Sequence, residues 1–99
     1  MDKIKTRAVE RSLYANYLAR AQECLFSARR DFIENRWNSS AISAIHSGIA
    51  AIDALCVYFL GQRSADPKHE NVVNHFRGIK QIKKDDIDSI AVKITRILK

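Results

Sequence analysis

The sequence predicts an all-α protein: one domain over residues 1–99, a four-helix up-and-down bundle with helices at about 7–34, 38–60, 67–77 and 86–99. Apolar residues recur at spacings of three and four through most of the chain, the period of one helix face. Glycine and proline are scarce, three and one in 99 residues, and they fall where helices should stop or start. The apolar fraction of 46% is that of a packed domain, neither a disordered nor a strand-rich chain. The last helical pattern is still strong where the sequence ends, so a five-helix bundle lacking its final helix is the second form of this expectation.

In the first helix, Leu13, Tyr17, Ala21, Cys24, Ala28 and Phe32 form a stripe, with Leu18 and Leu25 beside it. Glu10, Arg11, Arg20, Glu23, Arg30 and Asp31 lie opposite and read as a solvated face. Asn35 and Arg36 end it. The second helix is expected to start with Asn38 as N-cap, with Trp37 before it packing on Ile42 as a hydrophobic staple. Its apolar residues cover well over half the circumference, so more than one neighbour must cover it. His46, Gly48 and Asp53 interrupt that surface. Gly48 reads as a point of close helix approach. His46 and Asp53, seven apart, share a face. Each either hydrogen-bonds a neighbouring helix or a subunit partner, or stands behind a site in the loop that follows the helix.

Asp66 caps the third helix and Pro67 opens it, where its missing N–H costs nothing. Val72, Val73 and Phe76 point inward, His75 lies near the C-terminal end for a dipole contact, and Gly78 is the stop. A basic loop with Lys80, Lys83 and Lys84 leads to the fourth helix, whose stripe is Ile87, Ile90, Ala91, Ile94 and Leu98.

A chain this short buries a modest share of its surface unless it pairs with a copy. Its net charge of +6 suits an anionic partner. Cys24 and Cys56 lie on apolar stripes and read as core residues. The N-terminal residues lack the apolar region of a secretory signal. Residues 42–60 are interrupted by His46, Ser47, Gly48 and Asp53, as suits a buried helix more than a membrane span. The expectation is a cytoplasmic protein with no membrane partner.

No phosphate-cradling glycine loop, zinc-protease motif or nucleophile elbow occurs, and no metal or cofactor is expected. One constellation is left, in residues 61–70. Arg63 is a permanent cation with a fork of donors, and His69, at the third position of a helix, is biased toward the neutral imidazole. Such a histidine can take the proton of a ribose 2′-hydroxyl, while the arginine stabilises a phosphorane. Lys68 and Glu70 would touch phosphate or orient the imidazole, and Ser64 would donate one hydrogen bond. The plainer reading makes Arg63 a solvated loop charge and His69 a surface residue of a first turn.

The order of features resembles the HEPN domain family over about residues 14–76. The matching runs are Tyr17-Leu18-Ala19-Arg20-Ala21-Gln22-Glu23-Cys24-Leu25, Arg36-Trp37-Asn38-Ser39-Ser40-Ala41, the small-residue helix around His46 and Asp53, Gly61-Gln62-Arg63-Ser64 and Lys68-His69-Glu70. Active members carry an arginine, four to six residues and a histidine at a loop–helix junction, a spacing that Arg63 and His69 satisfy with five between. The resemblance implies a homodimer with Arg63 and His69 of both copies on one RNA backbone, in a ribonuclease or a toxin–antitoxin component. Ser64 departs from the pattern, which usually has an amide or acid there. The alternative is a non-catalytic module that binds a nucleotide, RNA or an antitoxin protein. A third reading is a scaffold in which the pair is incidental.

Overall fold

The computed structural model describes residues 5–65 and 69–98, and the side chains of all of these except 69, 70 and 94–98. Four helices carry it: α1 (Tyr14–Ile33), α2 (Trp37–Leu60), α3 (His69–Phe76) and α4 (Lys84–Leu98). Two short strands, β1 (Thr6–Ala8) and β2 (Gln62–Ser64), pair antiparallel with Arg7 opposite Arg63. The class is all-α with one small ribbon.

The start of the first helix is corrected by that ribbon. Residues 6–8 are a strand, residues 11–13 a single 3-10 turn, and the α-helix begins at Tyr14. The segment is captured by the chain leaving α2: the Val9 N–H donates to the Gly61 carbonyl (2.9 Å) and the Ala65 N–H to the Lys5 carbonyl (2.9 Å). Helix propensity is a weak preference, and backbone pairing to a distant segment overrides it. Residues 62–64, expected as loop, are therefore strand.

The α1–α2 corner is a Schellman turn. Asn35 takes a left-handed φ of 63°, the Arg36 N–H reaches the Asp31 carbonyl (2.8 Å) and the Asn35 N–H reaches that of Phe32 (3.2 Å). Arg36 pairs with the carboxylates of Asp31 (2.9 Å) and Glu34, and the Ser39 hydroxyl donates to Asp31 (2.6 Å). Those bonds hold the Asp31 carboxyl below its usual range. Helix α2 starts one residue before the expected cap, because the Arg36 carbonyl already accepts from the Ser40 N–H (2.9 Å). No staple forms. Trp37 meets Phe32 edge-on at 5.2 Å, and Ile42 is 57% exposed.

A seam of small residues joins the two long helices. Ser40 donates to the Ala28 carbonyl (2.7 Å) and Ser47 to the Ala21 carbonyl (2.8 Å), two turns apart on each helix. Ala21, Ala28, Ala50 and Ala54 are buried. Gly48 is not the close-approach point: a Cβ there would meet nothing within 4 Å. Gly61 does need its freedom, since it ends α2 at φ 64° and turns the chain into β2.

The core lies where α3 and α4 cover the C-terminal half of α2. It joins Ile52 and Cys56 to Val72, Val73, Phe76, Ile79, Ile87 and Ala91. Burial lifts the Cys56 thiol to about 12, so it stays un-ionised; Cys24 is half-buried, and both cysteines are free. His75 lies in the last turn of α3, as expected, but it is buried, and its Nδ1 has no partner among the described residues. Desolvation lowers its pKa. Gly78 follows α3 in a turn, its N–H on the His75 carbonyl (3.1 Å). By length and composition α2 could cross a membrane; α1 packs along it, and α3 and α4 reach its C-terminal half.

Candidate functional site

Where α2 ends, Gly61 sends the chain back along β1, and the middle strand residue is Arg63. Successive strand side chains face opposite ways. Ser64 is buried, whereas the Arg63 side chain is 32% exposed. Its guanidinium lies 3.9 Å from Asp53 Oδ2 and 5.9 Å from the centre of the Tyr17 ring, over which it sits. The distance to Asp53 is that of a loose ion pair, not a forked hydrogen bond.

Asp53 is 7% exposed, and its Oδ1 has no hydrogen-bond partner among the described residues. Burial raises its pKa to about 6, against the pull of Arg63 and then of Arg20. The carboxyl is thus ionised at neutrality at a cost, and two guanidiniums offset part of it.

Tyr17 and Arg20 of α1, His46, Ile49, Ala50 and Asp53 of α2, and Arg63 of β2 line one cavity of about 220 Å³. That is below the range of about 300–1,000 Å³ usual for small-molecule pockets. It suits a compact group more than a whole cofactor. Two permanent cations and an exposed imidazole face one carboxylate, so the space favours an anion.

Of the residues singled out in the sequence, Arg63, His46 and Asp53 come together in this cavity. His69 opens α3, six residues after Arg63, but its side chain and that of Glu70 lie outside the described residues, as does Lys68 entirely. The Asp66 cap and Pro67 do too. Tyr17 and Arg20 are the residues that sequence reasoning missed. By period alone Tyr17 belongs to the apolar stripe and Arg20 to the solvated face, and only their spacing of three, next to the His46/Asp53 face in an antiparallel hairpin, points to them. Arg77, Lys80, Lys83 and Lys84 gather at the α3–α4 turn around a separate cavity, and Arg29 lines a third, at the far end of the hairpin. None of these five lines the Arg63 cavity. No three His, Cys, Asp or Glu residues among those described are grouped as metal ligands.

No protein-family model matches the chain, and no curated protein or solved structure matches it.

Proposed function

We propose that this chain is a HEPN-like, cytoplasmic homodimer that cleaves RNA without a metal, at a composite site to which both copies bring Arg63 and His69. The observation that carries the reading is the seat of Arg63: a guanidinium 3.9 Å from a buried carboxylate, lining an anion-sized cavity, six residues before a histidine that opens a helix. A surface arginine with no site to serve has no need of a buried acid that costs stability.

In this reading a neutral His69 takes the 2′-hydroxyl proton, and the 2′-oxygen attacks the adjacent phosphorus. Arg63 neutralises the charge that develops on the phosphorane oxygens. The 5′-oxygen leaves with a proton from the second copy's imidazolium, giving a 2′,3′-cyclic phosphate and a 5′-hydroxyl. Ser64, being buried, contributes through the strand more than through contact with substrate. Asp53 stands behind Arg63, and His46 lies at the exposed rim of the cavity.

Support for the dimer comes from apolar surface beside the cavity. Ile42, Ile45, His46, Ile49 and Asp53 form one stripe of α2, and α3 and α4 cover only its C-terminal part. Ile42 is left 57% exposed next to the residues of the cavity. The alternative, a module that holds a nucleotide, RNA or an antitoxin protein without cutting, draws on the same cavity, and the partial neutralisation of Arg63 by Asp53 favours it.

The deciding experiment is cleavage of mixed-sequence RNA in EDTA, by wild type and by His69→Ala matched for helicity and mass. We expect wild type to cut and the variant to be slower by about 10²–10⁴-fold, the usual worth of a positioned acid or base. No cleavage by a folded wild-type dimer would leave the binding module.

A further inference from the structure

Arg20 is the one permanent charge at the cavity that the proposed chemistry does not use. It projects from α1, whereas Arg63 comes from β2, and the two guanidiniums line the same 220 Å³ from different elements. Asp53, from α2, is the only carboxylate among the lining residues. It engages Arg63 at 3.9 Å, and no ion pair within 4 Å joins Arg20 to any described carboxylate. Each guanidinium has five N–H donors in a planar fork, so most of them are unspent. Two like charges held together in a concave space repel unless something negative sits between them, and one buried carboxylate with one oxygen unpartnered does this incompletely.

We propose that Arg20 and Arg63 form a two-arginine clamp for a single phosphate group, with Asp53 as the anchor that spaces them. The ligand class is a tetrahedral oxyanion: a phosphodiester of RNA, or the terminal phosphate of a nucleotide. Arg63 lies over the Tyr17 ring, 5.9 Å from its centre, and Arg20 closes the group from the α1 side. The size of the cavity selects the phosphate and leaves the attached sugar and base outside. His46, exposed at the rim, is placed for a further hydrogen bond to the same group.

This rests on Arg63 being a phosphate ligand, as in the function proposed above, but not on cleavage. The probe is sulfate, which keeps its double charge across neutral pH, titrated against chloride at matched ionic strength and read by thermal unfolding and calorimetry. Wild type should show saturable stabilisation by sulfate. Arg20→Gln, which keeps helix propensity on an exposed face, should weaken binding about tenfold or more, as Arg63→Gln should. Arg20→Lys should restore part of it, and Arg29→Gln, at a different cavity, should change nothing. Equal sulfate affinity in wild type and Arg20→Gln, or no saturable effect in wild type, overturns the clamp. Sulfate binding that needs both arginines, with RNA left uncut, keeps the clamp and removes the ribonuclease. RNA cut equally by wild type and Arg20→Gln, with sulfate affinity unchanged between them, does the reverse.

Discussion

Asp53 is a buried acid whose charge costs stability. Its folded pKa, about 6, lies above the ordinary 3.8 because burial outweighs Arg63 and Arg20. The fold therefore prefers the protonated carboxyl. The contribution to stability is full below about pH 4 and is lost as pH rises through about 6. At about 1.4 kcal/mol per pKa unit, the loss is about 3 kcal/mol. His75 acts in the opposite sense: its depressed folded pKa costs stability as pH falls below its ordinary 6.5. Comparing wild type with Asp53→Asn isolates the first effect. Chemical denaturation at pH 4, 5, 6 and 7 should show the amide variant gaining on wild type by about 3 kcal/mol over that span. A constant difference would mean that Asp53 is charged and satisfied throughout. The same substitution removes the one carboxylate that lines the cavity.

At the scale of elements, the ribbon decides where Arg63 goes. A two-stranded ribbon of three residues a side is marginal alone. This one is held because Gly61 places β2 against β1 and because the Val9 N–H bonds the Gly61 carbonyl at 2.9 Å. Val9→Pro removes that donor and leaves the carbonyl without it. The cost should be about 1 kcal/mol, a fall in Tm of about 5 °C for a domain of this size. Sulfate stabilisation should drop as well, since Arg63 loses its register. A Tm loss with unchanged sulfate binding would show that Asp53 and Tyr17, not the ribbon, position the guanidinium. The seam is less demanding. Ser40 and Ser47 use second lone pairs of carbonyls already bonded within α1, so Ser→Ala at either should cost well under the price of a lone buried donor.

At the scale of the molecule, the length of α2 is the governing fact. Its 24 residues span about 36 Å, close to the 40 Å long axis of the whole chain. Helices α3 and α4 reach only its C-terminal half, and every fully buried residue of α2 lies from Ala50 onward. The uncovered half of the hairpin carries Phe26, Phe32, Ile33, Trp37 and Ile42, each more than half exposed. A second apolar groove, lined by Tyr14, Leu18, Ala51, Leu55 and Tyr58, lies on the other side of the seam from the Arg63 cavity. A composite site requires contact on the cavity side, through Ile42 and its stripe. Sedimentation should give twice the 11.3 kDa of one chain. Ile42→Glu should give a folded single chain that cuts RNA at least about tenfold more slowly, because half the composite site is missing. Leu18→Glu, in the groove, should leave both mass and cleavage as in wild type. A dimer broken by Leu18→Glu alone would place the contact away from Arg63, and the composite site would fall.

Helix number, the two long helices, the corner at Asn35 and Arg36 and the stop at Gly61 follow from the sequence, because each depends on residues within a turn or two of one another. Periodicity finds a helix face, and a left-handed residue ends it, whatever lies elsewhere in the chain. The grouping of Arg63 with His46 and Asp53 was partly legible, since a histidine and an acid interrupt an apolar face seven residues apart. The rest was decided by tertiary contact. Residues 6–8 became a strand because residues 62–64 lay beside them, and nothing within residues 6–8 encodes that partner. His75 sank into the core, and Gly48 came to face open space. Tyr17 and Arg20 joined the cavity because the seam fixed the register of α1 on α2. Helical period alone says which residues share a face; which face meets which is set by side chains packing across the seam, and that information is spread over both helices at once.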